Sequence, residues 1–305
     1  MLRTSFQTLI IIIWLSPTLG NASKSIRLNF ERPTNQFTPI HKKPLFDIPI
    51  TYNHRVKKWI SFYQGRGKHG FQLWLNRSHR YIPKMKAVLK KNGLPTDLAY
   101  IAMIESGFSA HAISSAKAVG YWQFMSATGK RYGLKKKWWL DERRDFYKST
   151  KAASNYLSDL YRIFNSWYLT ASAYNMGENR LIRLIKKHKT RNYWKLSRKR
   201  DFPKETKQYI PKLIAAVIIA KSPKLYGFHK TKPLHLLSYE PYFAPGGTDI
   251  FQLAKKIGFT KKHIKALNPS LLHGFIPQKS RGYWIRIPKG HLPNVARYIK
   301  RKFYN

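Results

Sequence analysis

Cysteine is absent from all 305 residues. Its absence excludes disulfides, thiol chemistry, cysteine-ligated zinc and the lipidated cysteine of a bacterial lipoprotein. Acidic residues are nearly as scarce: 13 Asp and Glu stand against 58 Lys and Arg, a formal charge of +45. So few carboxylates can be weighed one by one as candidates for acid–base chemistry. The apolar run near the amino terminus, Leu9 to Leu15, is also too short for a transmembrane helix, which takes about 20 residues.

That short run reads instead as an export signal. Arg3 supplies the positive start, and the small residues Gly20 and Ala22 offer cleavage sites, giving a signal peptide over residues 1–22. An uncleaved anchor is the alternative. An exported chain without disulfides suits a bacterial periplasm or cell envelope, and one without cysteine is not a lipoprotein. Losing Arg3 with the leader lowers the charge by one, so the remainder still adheres to polyanions. For an exported protein these are anionic envelope polymers or a lipid surface, and no specific nucleic-acid partner is expected. The lysines are spread along the whole chain, so a compositional habit with no specific partner is an equally open reading. The aromatic content, with 9 Trp, 19 Tyr and 17 Phe, exceeds what a minimal core needs and suits surfaces that stack on flat ligands.

Residues 23–50 carry Pro33, Pro39, Pro44 and Pro49 with no period, and read as an extended linker. From Tyr52 the pattern is helical. Val56, Trp59, Ile60 and Tyr63 share one face, and a second helix is expected around Phe71–Leu89. Thr96 and Asp97 suit the start of a third, which ends at Gly107. Further helices are expected over 146–165, Leu169–Leu184 and Ile210–Ala220, with Pro211 placing the last start near Tyr209. No strand is expected between Tyr52 and Lys221. Beyond Pro223 the order becomes strand, helix, helix, strand over about 238–290, followed by a basic tail over 291–305 that reads as a helix.

Among the carboxylates, Glu105 stands out. It follows Ile101 by four residues and Ala102 by three, so it shares their core-facing side of the helix. Desolvation and the negative end of the helix dipole both oppose its ionisation. A carboxyl protonated near neutral pH is what a general acid needs to protonate a glycosidic oxygen. The same pattern also suits a glutamate at a helix end that reaches solvent, and Glu105 alone does not decide between the two.

Its surroundings add to the case. Glu105-Ser106 is followed by Gln123 within GYWQFM, then by AYNMG (Ala173 to Gly177) and ETKQYIPK (Glu205 to Lys212). These four ordered stretches resemble the soluble-lytic-transglycosylase family over roughly residues 50–225. The resemblance implies a lysozyme-like, all-helical catalytic domain over 51–230. It implies Glu105 as acid and then base, with Ser106, Ser114, Gln123, Tyr174, Asn175 and Tyr209 lining or positioning the substrate. Ser114 would contact substrate or acid, and the Tyr209 hydroxyl would approach the catalytic carboxyl; packing in the core is the alternative for Tyr174 and Tyr209. Trp122 reads equally as core, and Glu205 as a helix-capping group. The implied reaction cuts the bond between N-acetylmuramic acid and N-acetylglucosamine in peptidoglycan strands and leaves 1,6-anhydromuramyl ends. It needs no metal or cofactor, and no His/Asp cluster has ligand spacing. The chain departs from the family at Lys117, where many relatives carry glycine.

The carboxy-terminal segment 238–290 resembles a LysM peptidoglycan-binding module through GGTDIFQLAKKIGFTKKHIKALNP, with Asn268 at the expected position, and IRIP. The fold class is thus mainly α, with a small βααβ module. Two other functions stay open at this point. A hydrolase of the same fold would need a second carboxylate, for which Asp141, Glu142 and Asp145 are within range along the chain. A non-catalytic cationic wall-binding protein would need none.

Overall fold

A computed structural model of the chain describes residues 45–229, 232–234 and 238–304. The expected signal peptide and the linker up to residue 44 lie outside the described residues. Over the described residues the architecture is mainly α with one small sheet, as the sequence predicts.

Helices α1 (His54–Gln64) and α2 (Lys68–Lys91) lead the fold. Asn53 caps α1 by accepting from the backbone N–H groups of Arg55 and Val56, and Val56, Ile60 and Tyr63 are its buried stripe. A single 3-10 turn, Thr96–Ala99, then leads into α3 (Tyr100–Ser106). Thr96 does not cap this start. Asp47 does, from the linker: its carboxylate accepts from Thr96 N at 2.6 Å, Thr96 Oγ1 at 2.7 Å and Asp97 N at 2.8 Å. Asp97 returns the bond by accepting from Asp47 N at 3.0 Å, and is itself buried against the Lys221 ammonium at 2.6 Å. The pair acts as a capping box whose halves lie about fifty residues apart in sequence.

The remaining helices of this region are α4 (Ser126–Arg131), α5 (Phe146–Phe164), α6 (Trp167–Met176), α7 (Glu178–His188), α8 (Tyr193–Leu196) and α9 (Lys204–Lys221). Asp145 caps α5, accepting from Lys148 N at 2.9 Å, and Ala152, Ala153, Tyr156, Leu157, Leu160 and Phe164 form its buried face. The single helix expected over Leu169–Leu184 is two, because Gly177 at φ 88° breaks the chain between α6 and α7. Between Tyr52 and Lys221 the described residues pair only as isolated bridges, with no strand.

Helix α9 is the central element. It packs on α1, α3 and α6 and is buried nearly throughout from Tyr209 to Ile219. It begins at Lys204, five residues ahead of the start that Pro211 implies. Proline in a helix interior orphans the carbonyl four residues back. Here that carbonyl belongs to Lys207, and the buried Tyr193 hydroxyl lies 3.1 Å from both the Lys207 and Thr206 oxygens. A side chain from α8 thus replaces the missing backbone donor.

The strands β1 (Tyr239–Ala244) and β2 (Tyr283–Pro288) pair antiparallel, Tyr239 opposite Pro288. Between them lie α10 (Ile250–Lys256) and α11 (Lys261–Leu267), and α12 (Leu292–Phe303) follows. Asn268 is buried and bonds both backbone groups of Arg286, each at 2.7 Å. Helix α12 is part of this second core, contributing Val295 and Ile299. Trp139 and Leu140, from the loop after α4, also enter it. The seam carries charge: Arg286 grips Asp145 with two bonds of 2.7 and 2.9 Å, and Glu142 takes Tyr283 Oη at 2.9 Å and the Lys148 ammonium.

The Pro211 arrangement can be tested by a double-mutant cycle. Tyr193→Phe is expected to lower the unfolding free energy by about 1–3 kcal/mol, the cost of an unsatisfied buried carbonyl. Pro211→Ala restores an N–H to Lys207 and is expected to recover part of that loss. Urea denaturation of the four variants measures it, and strict additivity would contradict the replacement.

Candidate active site

Glu105 occupies the last turn of α3, with Ile101 and Ala102 buried on its own side. The helix stops immediately afterwards, with Gly107 left-handed at φ 57°. No other residue fits there, since a Cβ on Gly107 would stand 2.2 Å from Trp74 Nε1. Arg77, one turn along α2 from Trp74, donates to the Gly107 carbonyl at 3.1 Å. The carboxyl is therefore fixed by the packing of α2 against the end of its own helix.

Two side chains from α9 meet it. Tyr209 donates its hydroxyl to Glu105 Oε1 at 2.6 Å. Lys212, three residues later and so on the same face, donates to the Ile104 carbonyl at 2.9 Å. Burial pushes the Glu105 carboxyl up from the ordinary 4.5 to about 7. The Tyr209 bond and the Lys212 charge pull the other way, and the nearby Glu205 carboxylate adds to the rise. Burial also lowers the Lys212 ammonium from its ordinary value, while Glu105 and Glu205 oppose that shift.

Tyr174 approaches from α6. Its hydroxyl donates to the Trp122 carbonyl at 2.7 Å, and burial followed by the Glu105 charge raises it well above an ordinary tyrosine. Asn175 donates to Glu205 Oε1 at 2.8 Å and accepts from Thr206 Oγ1 at 2.6 Å, tying α6 to the start of α9. Glu105, Tyr174, Asn175 and Tyr209 are thus brought together. Lys212 and Thr206 join them without having been singled out in sequence. The ETKQYIPK stretch held the signal for Lys212, which follows Tyr209 at helical spacing.

The other expected residues belong to the loop that follows Glu105. Ser106 Oγ donates to the Tyr121 carbonyl at 2.8 Å and accepts from Ser109 N, so it holds the loop. Ser114 Oγ accepts from Ala118 N at 3.0 Å within a tight turn. Gln123, at φ 48°, uses its amide nitrogen on the carbonyls of Gly120 (2.9 Å) and Ala112 (3.2 Å). Phe108 and Lys117 are left-handed as well, so three non-glycine residues with positive φ fall in this one segment. Trp122 is core, with its indole donating to Thr150 Oγ1 at 3.0 Å.

Buried Arg143 holds the loop from behind, donating to the carbonyls of Phe124 (3.0 Å) and Lys117 (3.3 Å). Asp141 secures that guanidinium with two bonds of 2.7 and 2.9 Å. Asp141, Glu142 and Asp145 are therefore committed to Arg143, to Lys148 and Tyr283, and to Arg286.

Residues 83–197 match the family model described as the transglycosylase SLT domain. The matched span includes Glu105 and the whole following loop, whereas Tyr209 and Lys212 lie beyond it on α9. The chain is 33% identical over 220 residues to membrane-bound lytic murein transglycosylase D of Escherichia coli (strain K12). The alignment covers 70% of this chain and 48% of that protein, so the chain spans about half the length of the curated relative it matches. Among solved structures, lytic transglycosylase Slt of Pseudomonas aeruginosa is similar at 22% identity and a TM-score of 0.39, covering 49% of this chain and 24% of that one. The soluble lytic transglycosylase SLT70 of Escherichia coli follows at 20% identity and a TM-score of 0.37, covering 48% and 25%.

Two stability predictions follow from the geometry around Glu105 and Lys117. A carboxyl whose folded pKa exceeds its unfolded value costs stability as pH rises between the two. Glu105→Gln, which cannot ionise, is expected to match the wild type near pH 4 and to exceed it above about pH 7, by on the order of 1–3 kcal/mol. Parallel stability curves in denaturant across that range would contradict the burial of Glu105. At Lys117, φ 66° suits glycine. Lys117→Gly is therefore expected to be neutral to about 1 kcal/mol stabilising, with a clear loss of stability as the contrary result.

Proposed function

We propose that the protein is a peptidoglycan lytic transglycosylase, cutting the β-1,4 bond between N-acetylmuramic acid and N-acetylglucosamine and leaving 1,6-anhydromuramyl ends. The observation that carries this reading is the Glu105 carboxyl, raised to about 7 and bonded at 2.6 Å to Tyr209. A group poised at that value is protonated and deprotonated with similar ease near neutral pH, which suits one residue serving in turn as acid and base. The SLT domain and the likeness to a murein transglycosylase support the same substrate class.

The protonated Glu105 gives its proton to the glycosidic oxygen as the C1–O bond breaks, and the N-acetylglucosamine side leaves as an alcohol. Positive charge then develops at C1 and the ring oxygen of the muramyl unit, with the substrate's 2-acetamido group helping to stabilise it. The Glu105 carboxylate, held by Tyr209 and near Lys212, removes the proton from the muramyl 6-hydroxyl, and O6 bonds to C1. Glu105 is again protonated, and no water is consumed. Tyr174 and Asn175 are assigned to the groove wall, and Ser114 and Gln123 to the loop that shapes it. Ser106 supports that loop.

In this reading residues 51–230 form the catalytic region and 238–290 a LysM-like module that tethers the enzyme to its polymer. The module would raise local substrate concentration without altering the chemistry. The site of action is the periplasm or cell envelope, and the surplus positive charge suits anionic envelope polymers.

A hydrolytic reading has one observation in its favour: Glu205 is close enough to raise the Glu105 carboxyl. Mass spectrometry of released muropeptides separates the two, since an anhydro end is lighter than a reducing end by one water. Anhydro ends are expected from the wild type and from Glu205→Gln. Glu105→Gln is expected to lose activity by a factor of about 10³ or more. Clearing of a peptidoglycan gel by Glu105→Gln would sink the assignment, and reducing ends that depend on Glu205 would favour hydrolysis.

A further inference from the structure

Helix α12 closes a stretch without acid: residues 250–305 contain no Asp or Glu. The carboxylates of the βααβ module, Glu240 and Asp249, lie ahead of that stretch and are engaged. Glu240 accepts from Gly290 N at 2.8 Å, and Asp249 caps α10 through the N–H groups of Phe251 and Gln252. The reaction assigned to Glu105 uses none of the basic residues on α12.

The apolar side of α12 is already covered. Val295 and Ile299, one turn apart, are buried in the second core, and Leu292 and Phe303 pack against it. Beside that seam Asn294, Arg297, Tyr298 and Arg301 recur at intervals of three and four residues, so they form one stripe. The stripe lines a groove of about 390 Å³, and Lys256 at the end of α10 completes the lining. Arg297, Arg301 and Lys256 are exposed. Among the described residues, none of the three side chains has an ion pair or a hydrogen bond. Arg131, Arg143, Arg162 and Arg286, by contrast, each hold a carboxylate.

Three unpaired cations on one concave surface repel one another, and an anion in the groove relieves that repulsion. The two guanidinium groups present planar forks that suit phosphate oxygens, and the Asn294 amide and Tyr298 hydroxyl add neutral donors. Four residues of helix separate Arg297 from Arg301 by about 6 Å along the axis, so one chain can meet them with successive phosphates. A bilayer fits less well. A helix lying in a membrane interface buries an apolar face there, and the apolar face of α12 is committed to the core.

We propose that this groove binds successive phosphates of a linear phosphodiester polymer of the cell envelope. The preference for phosphate rests on the groove alone; the envelope as the source of the polymer rests on the proposed function. Such a contact would hold the protein at the wall through a polymer that it does not cut.

Isothermal titration of the full-length protein with poly(glycerol phosphate) tests this. Comparison titrations use poly-glutamate of equal charge and vesicles of phosphatidylglycerol, which present the same glycerol phosphate on a bilayer. The polymer is expected to bind more tightly than either. Arg297→Gln with Arg301→Gln is expected to weaken that binding about tenfold or more. The control pair Lys90→Gln with Lys91→Gln, exposed at the end of α2, removes the same charge and is expected to change it by less than about twofold. Thermal melts establish that each variant is folded. Arg297→Lys with Arg301→Lys keeps the charge, removes the forks and is expected to lose part of the affinity. Unchanged binding in the arginine pair, an equal loss in the control pair, or equal affinity for poly-glutamate would overturn the proposal. Tighter binding to the vesicles, lost in the arginine pair, would assign the groove to a lipid surface and overturn it as well. The titration reads no glycan cleavage. Polymer binding by a protein that yields no anhydro products would keep the groove and remove the proposed function, and anhydro products without polymer binding would do the reverse.

Discussion

The site depends on a balance at one carboxyl. Burial at the end of α3 pushes Glu105 towards the neutral form, and the Tyr209 hydroxyl and Lys212 ammonium pull it back. If burial acted alone, the group would stay protonated and could not serve as a base. With strong pairing alone it would stay ionised and could not serve as an acid. Both opposing groups come from α9, one turn apart, so the balance is set by how α9 packs on α3. Much of the rest of the helical region fixes that packing.

Three remote contacts bear on it. Asp47 and Asp97 clasp each other's backbone at the start of α3, and Lys221 at the end of α9 joins the same cluster. Trp74 and Arg77 clamp the glycine that ends α3. Tyr193 satisfies the carbonyl that Pro211 leaves orphaned, so α9 can extend a full turn ahead of Tyr209 and carry Glu205 and Thr206 to Asn175. The acidic residues are few and mostly spoken for: Asp141, Glu142 and Asp145 hold the seam and the loop behind Gln123. This leaves Glu105 and Glu205 as the carboxylates that bear on Lys212.

Much of this was legible in the sequence where the cause is local. The core-facing side of α3, its end at Gly107, the α5 stripe and the βααβ order all follow from spacing and turn chemistry. The ordered motifs also pointed to Glu105, Tyr174, Asn175 and Tyr209, which the fold gathers. What escaped was whatever depends on a partner far along the chain. Thr96 looks like a cap until Asp47 arrives from the linker. Pro211 looks like a helix start until Tyr193 supplies the missing donor. Ser106 Oγ and the Gln123 amide nitrogen bond backbone of the loop after Glu105, partners that spacing alone does not reveal. Lys117 sits at a position with positive φ, which lysine adopts as a side chain unbranched at Cβ can.

The most direct measurement is the titration of Glu105 itself. Carbon-13 labelling of the glutamate side-chain carboxyls, with the Glu105 signal identified by its loss in Glu105→Gln, allows its ionisation to be followed by NMR without substrate. A midpoint at about 7 is the predicted result. A midpoint near the ordinary glutamate value of about 4.3 would contradict the account, because such a carboxyl would have no proton to give at neutral pH.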